Sequence, residues 1–189
     1  ASQHIRQSIR GQRDVADLIR LALERRAPIA ADPASTIYRL INAAGDGLPG
    51  LTGDRYADVL VEGLSVDTEV IPPLPAPPAL VNLLASACKP AAIYLKYRPR
   101  AASRVADDQM PLLAPSQPAY GQASGSSELV ALEGGLKYLI RPGEGLSTGL
   151  FADMREGRAR VRAWADGRTV LNCFAYTCGF GVAALAGGA

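Results

Sequence analysis

The sequence predicts an α+β unit that runs into the opening of an α/β nucleotide-binding layer. Three observations predict it. Residues 128–141 alternate around a Glu133-Gly134-Gly135 turn in the manner of a hairpin. Residues 14–26 and 79–87 read as helices set among short strand-like runs. Near the end, residues 169–174 form a β-branched and apolar run, 177–181 a turn with two glycines, and the small residues from Val182 suit a helix packed closely on a sheet. Strand, glycine turn and helix open a layer in which the ligand sits beyond the strand ends, against a helix N-terminus. No second strand follows before Ala189, so the sequence is expected to be a fragment of a longer protein.

Composition bounds the rest. The chain is 48% hydrophobic and 20% charged, which allows a sizeable core in one large or two small domains. A net charge of +2 is too small to argue for nucleic acid by itself. No apolar run reaches membrane-spanning length. Three cysteines without CxxC spacing argue against a disulfide framework or a zinc site and suit a reducing compartment, the cytoplasm, with an organelle as the alternative. The sole histidine, His4, is terminal, which argues against a catalytic role.

The elements follow in order. Residues 1–13 are polar and mixed, with Ile5 and Ile9 alternating. In the first helix Val15, Leu18, Ile19, Ala22 and Leu23 share a face, Asp14 suits the N-cap, Arg25 and Arg26 suit the C-terminal dipole on a solvated face, and Pro28 is expected to end it. Residues 37–40 and 59–64 are strand-like. The glycine-rich stretch between them reads as a hairpin connection, with a surface loop shown to a partner as the alternative. Residues 71–78 hold five prolines, a stiff spacer, and Pro78 permits the second helix to begin. Residues 91–97 form a strand. From 89 to 104 there are five basic residues and no acidic one, interleaved with Tyr94 and Tyr97. That makes Lys96, Arg98, Arg100 and Arg104 the candidate RNA-binding residues, against the plainer reading of a charged strand edge. Residues 111–127 read as a loop. Asp153 and Glu156 resemble a capping box, with Met154, Ala159, Val161 and Trp164 as buried candidates on the helix that Gly167 ends.

Three blocks together resemble one family. They are YRLINAAGDGLPGLTGDRY at 38–56, GLSTGLFADMREGR at 145–158 and VLNCFAYTCGFGV at 170–182. In this order and spacing they resemble the RNA methyltransferases of the ribosomal RNA large-subunit methyltransferase I type. The resemblance implies a remnant of a PUA-like RNA-binding domain and a connecting helix over 1–33, an α+β central domain over 34–140, and the truncated start of a Rossmann-like methyltransferase domain over 141–189.

The cofactor implied is S-adenosylmethionine. The residues that match the family's cofactor positions are Thr148, Phe151, Asp153, Arg155, Phe174, Ala175, Tyr176, Thr177 and Gly179. Aromatic rings beside a sulfonium gain about 0.5–2 kcal/mol, and a glycine turn lets backbone approach the methionine end. Cys178 stands where the family keeps a glycine, and Met154 where it keeps a glutamine. The reaction implied is methyl transfer to a base of ribosomal RNA, cytosine C5 in the best-known relatives. Neither the Asn/Asp-Pro-Pro motif nor the nucleophilic cysteine of that reaction is matched, so this chain alone is expected to be inactive. Cys173, in the expected strand, reads as a small buried hydrophobe. The expected partners are RNA, ribosomal RNA foremost, with a homodimer or ribonucleoprotein assembly as the larger unit. The competing expectation is a non-catalytic RNA-binding or ribonucleoprotein component derived from that family.

Overall fold

The computed structural model describes residues 14–65, 76–99, 106–122, 128–173 and 175–189. The expectations for Ile5, Ile9, most of the proline spacer, Arg100, Arg104 and Phe174 lie outside the described residues. So do residues 1–13 of the expected PUA-like remnant.

Five strands form one mixed sheet in the order β1 (Ile37–Asn42), β2 (Leu51–Tyr56), β3 (Val59–Ser65), β4 (Ala92–Arg98) and β5 (Tyr120–Gly121). Only β3 and β4 run parallel. A parallel pair needs a crossover, and the helix Pro77–Cys88 supplies it. We call the first helix, Val15–Ala30, α1 and the crossover helix α2. Both cover one face of the sheet. There Leu40, Leu51, Leu60, Ile93 and Leu95 meet Ile19, Ala22, Leu80 and Leu84. Each such side chain, fully buried, contributes about 1.5–3 kcal/mol.

The opposite face carries Ile37, Tyr56, Val59, Val61, Ala92 and Tyr94. A two-stranded hairpin, β6 (Leu129–Glu133) and β7 (Leu136–Ile140), packs there through Ala131, Tyr138 and Ile140, joined by Leu150 and Ala152 of the following loop. Backbone bonds fix the hairpin against the start of β1: Thr36 N–H donates to Leu132 O at 2.8 Å and Gly135 N–H to Ala34 O at 2.9 Å. Met110–Leu113 forms a single turn, α3, ahead of β5, and after that loop come the two helices of the C-terminal part. These are α4 (Arg155–Trp164) and α5 (Gly179–Ala186). Arg158 of α4 is buried against Glu133 of β6 through two bonds of 2.6 and 2.7 Å. This two-pronged ion pair ties the helix to the hairpin.

Several expectations are corrected. Pro28 lies inside α1, which continues to Ala30. A proline in the last turn forfeits a single bond, and Ala31 N–H still closes on Ala27 O at 3.0 Å. Arg25 and Arg26 therefore sit before the last turn, and both bond Asp46, at 2.8 and 2.6 Å. Burial works against the ionised form of Asp46, but Arg26, the Asn42 N–H and Arg25 outweigh it and hold its carboxyl below its ordinary pKa. The glycine-rich connection contains a whole strand, β2. Neighbours on both sides impose extended structure on a segment of low strand propensity. Part of the loop at 111–127 is the α3 turn and β5. The segment 169–173 forms no ladder; Val170 and Leu171 are exposed, as is Cys173. An extended segment without a paired neighbour is not a strand. No side-chain capping bond forms at Asp153, Met154 and Trp164 are exposed, Ala159 is exposed, and Val161 is half-buried. The buried residue of α4 is Arg158, because its paired guanidinium faces the hairpin.

Candidate functional site

A cavity of about 240 Å³ opens between the sheet and the loop 145–154. Its sheet wall is Arg39, Thr52, Asp54, Tyr56, Val61 and Arg98; its loop wall is Thr148, Phe151 and Asp153. Strand alternation explains the first wall. Thr52, Asp54 and Tyr56 lie two apart on β2, so they share a face. Arg39 faces Asp54 across the β1–β2 ladder and grips it at 2.5 and 3.1 Å. Burial raises the Asp54 pKa and Arg39 only partly offsets it.

Tyr56 fixes the loop wall. Its hydroxyl hydrogen is shared between Thr148 O at 3.0 Å and Leu150 O at 2.9 Å. Burial pushes its pKa well up, so it remains a donor. Phe151 projects from the loop and stacks on Tyr176 of the glycine turn, with ring centroids 5.0 Å apart. Gly179 opens α5 directly against Leu150; a Cβ there would collide with Leu150 Cδ1. Glycine at 179 thus lets the turn press onto the loop.

The structure brings together Thr148, Phe151, Asp153 and Tyr176. Ala175 and Thr177 flank Tyr176 on the exposed turn, and Gly179 lies beneath it. Arg155 points elsewhere: its Nη2 donates to Ser35 Oγ at 3.3 Å, and it lines a separate cleft of about 140 Å³ with Glu133, Arg158 and Ala183. Of the candidate RNA-binding residues, Lys96 is fully buried and Arg98 half-buried inside the cavity wall. Lys96 therefore presents no exposed charge, and buried Tyr94 is no stacking platform. Arg39, Asp54 and Tyr56 were missed as site residues. Their signal was present, since Asp54, Arg55 and Tyr56 close the first of the three blocks, but a hairpin connection hides which face they take.

The lining offers two guanidinium groups, two carboxylates, an unpartnered hydroxyl and Phe151, whose ring stacks on Tyr176. Such a set suits a zwitterionic or sulfonium-bearing group on one side and a polar base on the other. The volume is below that of a whole-ligand pocket, so it encloses one end of a nucleoside-sized molecule. A larger depression of about 450 Å³ at 107–117 shares no lining residue with it and has only Asp107 as a charge. Among the described residues no helix is long and apolar enough to cross a membrane.

Residues 120–189 match the family model of S-adenosylmethionine-dependent methyltransferases. Over 172 residues the chain is 37% identical to a ribosomal RNA large subunit methyltransferase of Deinococcus radiodurans, covering 89% of this chain and 40% of the relative. It is 36% identical to ribosomal RNA large subunit methyltransferase I of Aeromonas hydrophila, covering 90% and 41%. The chain thus spans about 40% of the length of the curated relatives it matches. Among solved structures it is similar to a protein from Streptococcus mutans described as a SAM-dependent methyltransferase. The TM-score is 0.73 at 29% identity, over 92% of this chain and 42% of that one. A second methyltransferase structure, in complex with SAH, matches with the same score and identity.

Proposed function

We propose that this chain, a member of the ribosomal RNA large subunit methyltransferase I type family, carries the cofactor-side wall and part of the substrate wall of an S-adenosylmethionine-dependent RNA methyltransferase. On this reading residues 34–140 are the α+β central domain and 141–189 the opening of the Rossmann-like domain, with 1–33 the remnant of a PUA-like domain and its connecting helix. The acceptor is a base of ribosomal RNA, cytosine C5, and the setting is the cytoplasm. The single observation that supports the reading is the convergence of Thr148, Phe151 and Asp153 on one cavity, with Tyr176 of a separate block stacked on Phe151 at its edge.

The residues fit the cofactor. The Thr148 hydroxyl is buried without a partner and faces the cavity, so it can bond an incoming polar group. Asp153 supplies negative charge for an ammonium or sulfonium. The Phe151–Tyr176 pair offers an aromatic surface to the same cation. When bound, S-adenosylmethionine supplies an electrophilic methyl group. The chain's residues bind and orient: Tyr56 holds the loop, and Arg39 holds Asp54 facing the substrate side. No Asn-Pro-Pro or Asp-Pro-Pro occurs in these 189 residues, and none of Cys88, Cys173 and Cys178 lines the cavity.

Calorimetric titration with S-adenosylhomocysteine tests the reading. Binding by the wild-type chain, weakened about tenfold or more in Phe151→Ala and in Asp153→Asn, is expected; that is about 1.4 kcal/mol. Equal affinity in both variants would remove the cofactor from this cavity. Incubation with labelled S-adenosylmethionine and ribosomal RNA is expected to give no transfer from the 189-residue chain alone.

A further inference from the structure

The loop that carries Thr148 is held from the sheet side. Among the described residues no backbone–backbone hydrogen bond involves residues 145–150. The loop instead turns the carbonyls of three alternate residues to side chains of the sheet. The Tyr56 hydroxyl of β2 donates to Thr148 O and Leu150 O, and Arg98 Nη2 of β4 donates to Leu146 O at 3.0 Å.

The two halves of this loop are not held alike. The back half is anchored by packing as well, since Leu150 and Ala152 are buried in the core against the sheet. In the front half Ser147 is exposed and Leu146 only half-buried. Gly145 and Gly149 have φ of +53° and +49°, left-handed values that let the chain change direction on both sides of residues 146–148. Tyr56 has one hydroxyl hydrogen to share between its two carbonyls. The bond from Arg98 is therefore what sets the course of the front half. The arginine is itself placed for this. A Cβ at Gly63 of β3 would stand 2.9 Å from Arg98 Nε and 3.2 Å from its Cδ, so glycine there leaves the side chain its path to the loop.

We propose that Arg98 is a positioning residue of the cofactor site. By pinning Leu146 it aims the Thr148 hydroxyl, buried and unpartnered, into the cavity that both residues line. A residue that the sequence offers as an RNA contact thus acts inside the protein, on the loop that meets the cofactor. The proposal rests on the cavity holding the cofactor, as argued above.

The test titrates the 189-residue chain with S-adenosylhomocysteine by calorimetry, well below its melting temperature. Arg98→Met, which keeps the stem and removes the donors, weakens binding roughly tenfold. On a Thr148→Val background the same change costs about twofold or less, because the hydroxyl that Arg98 aims is already gone. In ligand-free Arg98→Met, apart from the strand around residue 98, amide shifts move at 146–148 and stay at 150–154. A merely structural arginine would lower the melting temperature and leave the affinity of the folded protein as it was. An arginine that touched the cofactor itself would cost as much on both backgrounds. Either result overturns the proposal, as do ligand-free shifts spread through the sheet. Wild-type binding with unchanged affinity in Arg98→Met sinks the positioning role and keeps the cofactor reading; no binding by the wild-type chain sinks both.

Discussion

Cys178 has φ +58° and ψ +19°, a left-handed conformation that favours glycine. It sits at the N-cap of α5, where its N–H closes the turn onto Ala175 O at 2.6 Å. The departure from the family's glycine thus falls on a position with positive φ. At 178 glycine should be more stable than alanine by about 1 kcal/mol, since both lack the sulfur and only alanine carries the left-handed cost. Denaturant midpoints of Cys178→Gly and Cys178→Ala check this; the reverse order would mean that the turn is not left-handed in solution. Binding measurements on the same pair show whether the sulfur itself intrudes on the cofactor. If it does, both variants gain equally over the wild-type chain. At this scale Thr148, Phe151 and Asp153, which one motif marks, line one cavity. Arg155 turns to a separate cleft and Lys96 is buried, because side-chain direction depends on neighbours that a motif does not contain.

Two adjacent strands each bury an ionisable group without a partner. Glu62 on β3 is fully buried on the helix-covered face, with both carboxylate oxygens unpartnered, and burial raises its pKa to about 8. Gly53 of β2 faces it across the ladder; a Cβ there would stand 2.5 Å from Glu62 Oε2. Lys96 on β4 lies on the other face, so the two charges do not pair. From about pH 4.5 to 8 the unfolded chain releases the Glu62 proton while the folded chain keeps it, and stability falls as pH rises. From about pH 8 to 10.5 the unfolded chain keeps the Lys96 proton that the folded chain has lost, and stability recovers. These two groups together put a dip in stability near pH 8. In Glu62→Met the fall up to pH 8 should vanish and the protein should be more stable there than the wild type. Urea unfolding at pH 5, 8 and 10 reads it, and a wild-type curve rising steadily to pH 8 would show Glu62 paired in solution.

The same strands show what the sequence hid at the level of elements. β3 and β4 were legible as apolar runs. β2 was not, because Gly53 and Asp54 are poor strand formers that the sheet recruits for Glu62 and Arg39. The hairpin at 129–140 was legible in full, since its alternation is local and its turn is two glycines. The run at 169–173 has strand chemistry but no ladder, a property of its neighbours rather than of its own residues.

At the scale of the molecule, the mixed sheet covered by α1 and α2 presents its other face to the loop that precedes α4, and the site lies between them. Most of the sheet wall comes from the first block, with Val61 and Arg98 added by β3 and β4; the loop wall comes from the second, and Tyr176 of the third stacks on Phe151, so three separated blocks meet in one place. Tyr56 and the Arg158–Glu133 pair are the joints that keep those parts in register. The most direct measurement is amide chemical-shift mapping of the 189-residue chain as S-adenosylhomocysteine is added. The shifts should cluster at Thr148 to Asp153 and at Tyr176 to Gly179, with α1 and α2 unmoved. Shifts centred on the cleft at Glu133, Arg155 and Ala183, or no shifts at all, would contradict a cofactor site between the sheet and this loop.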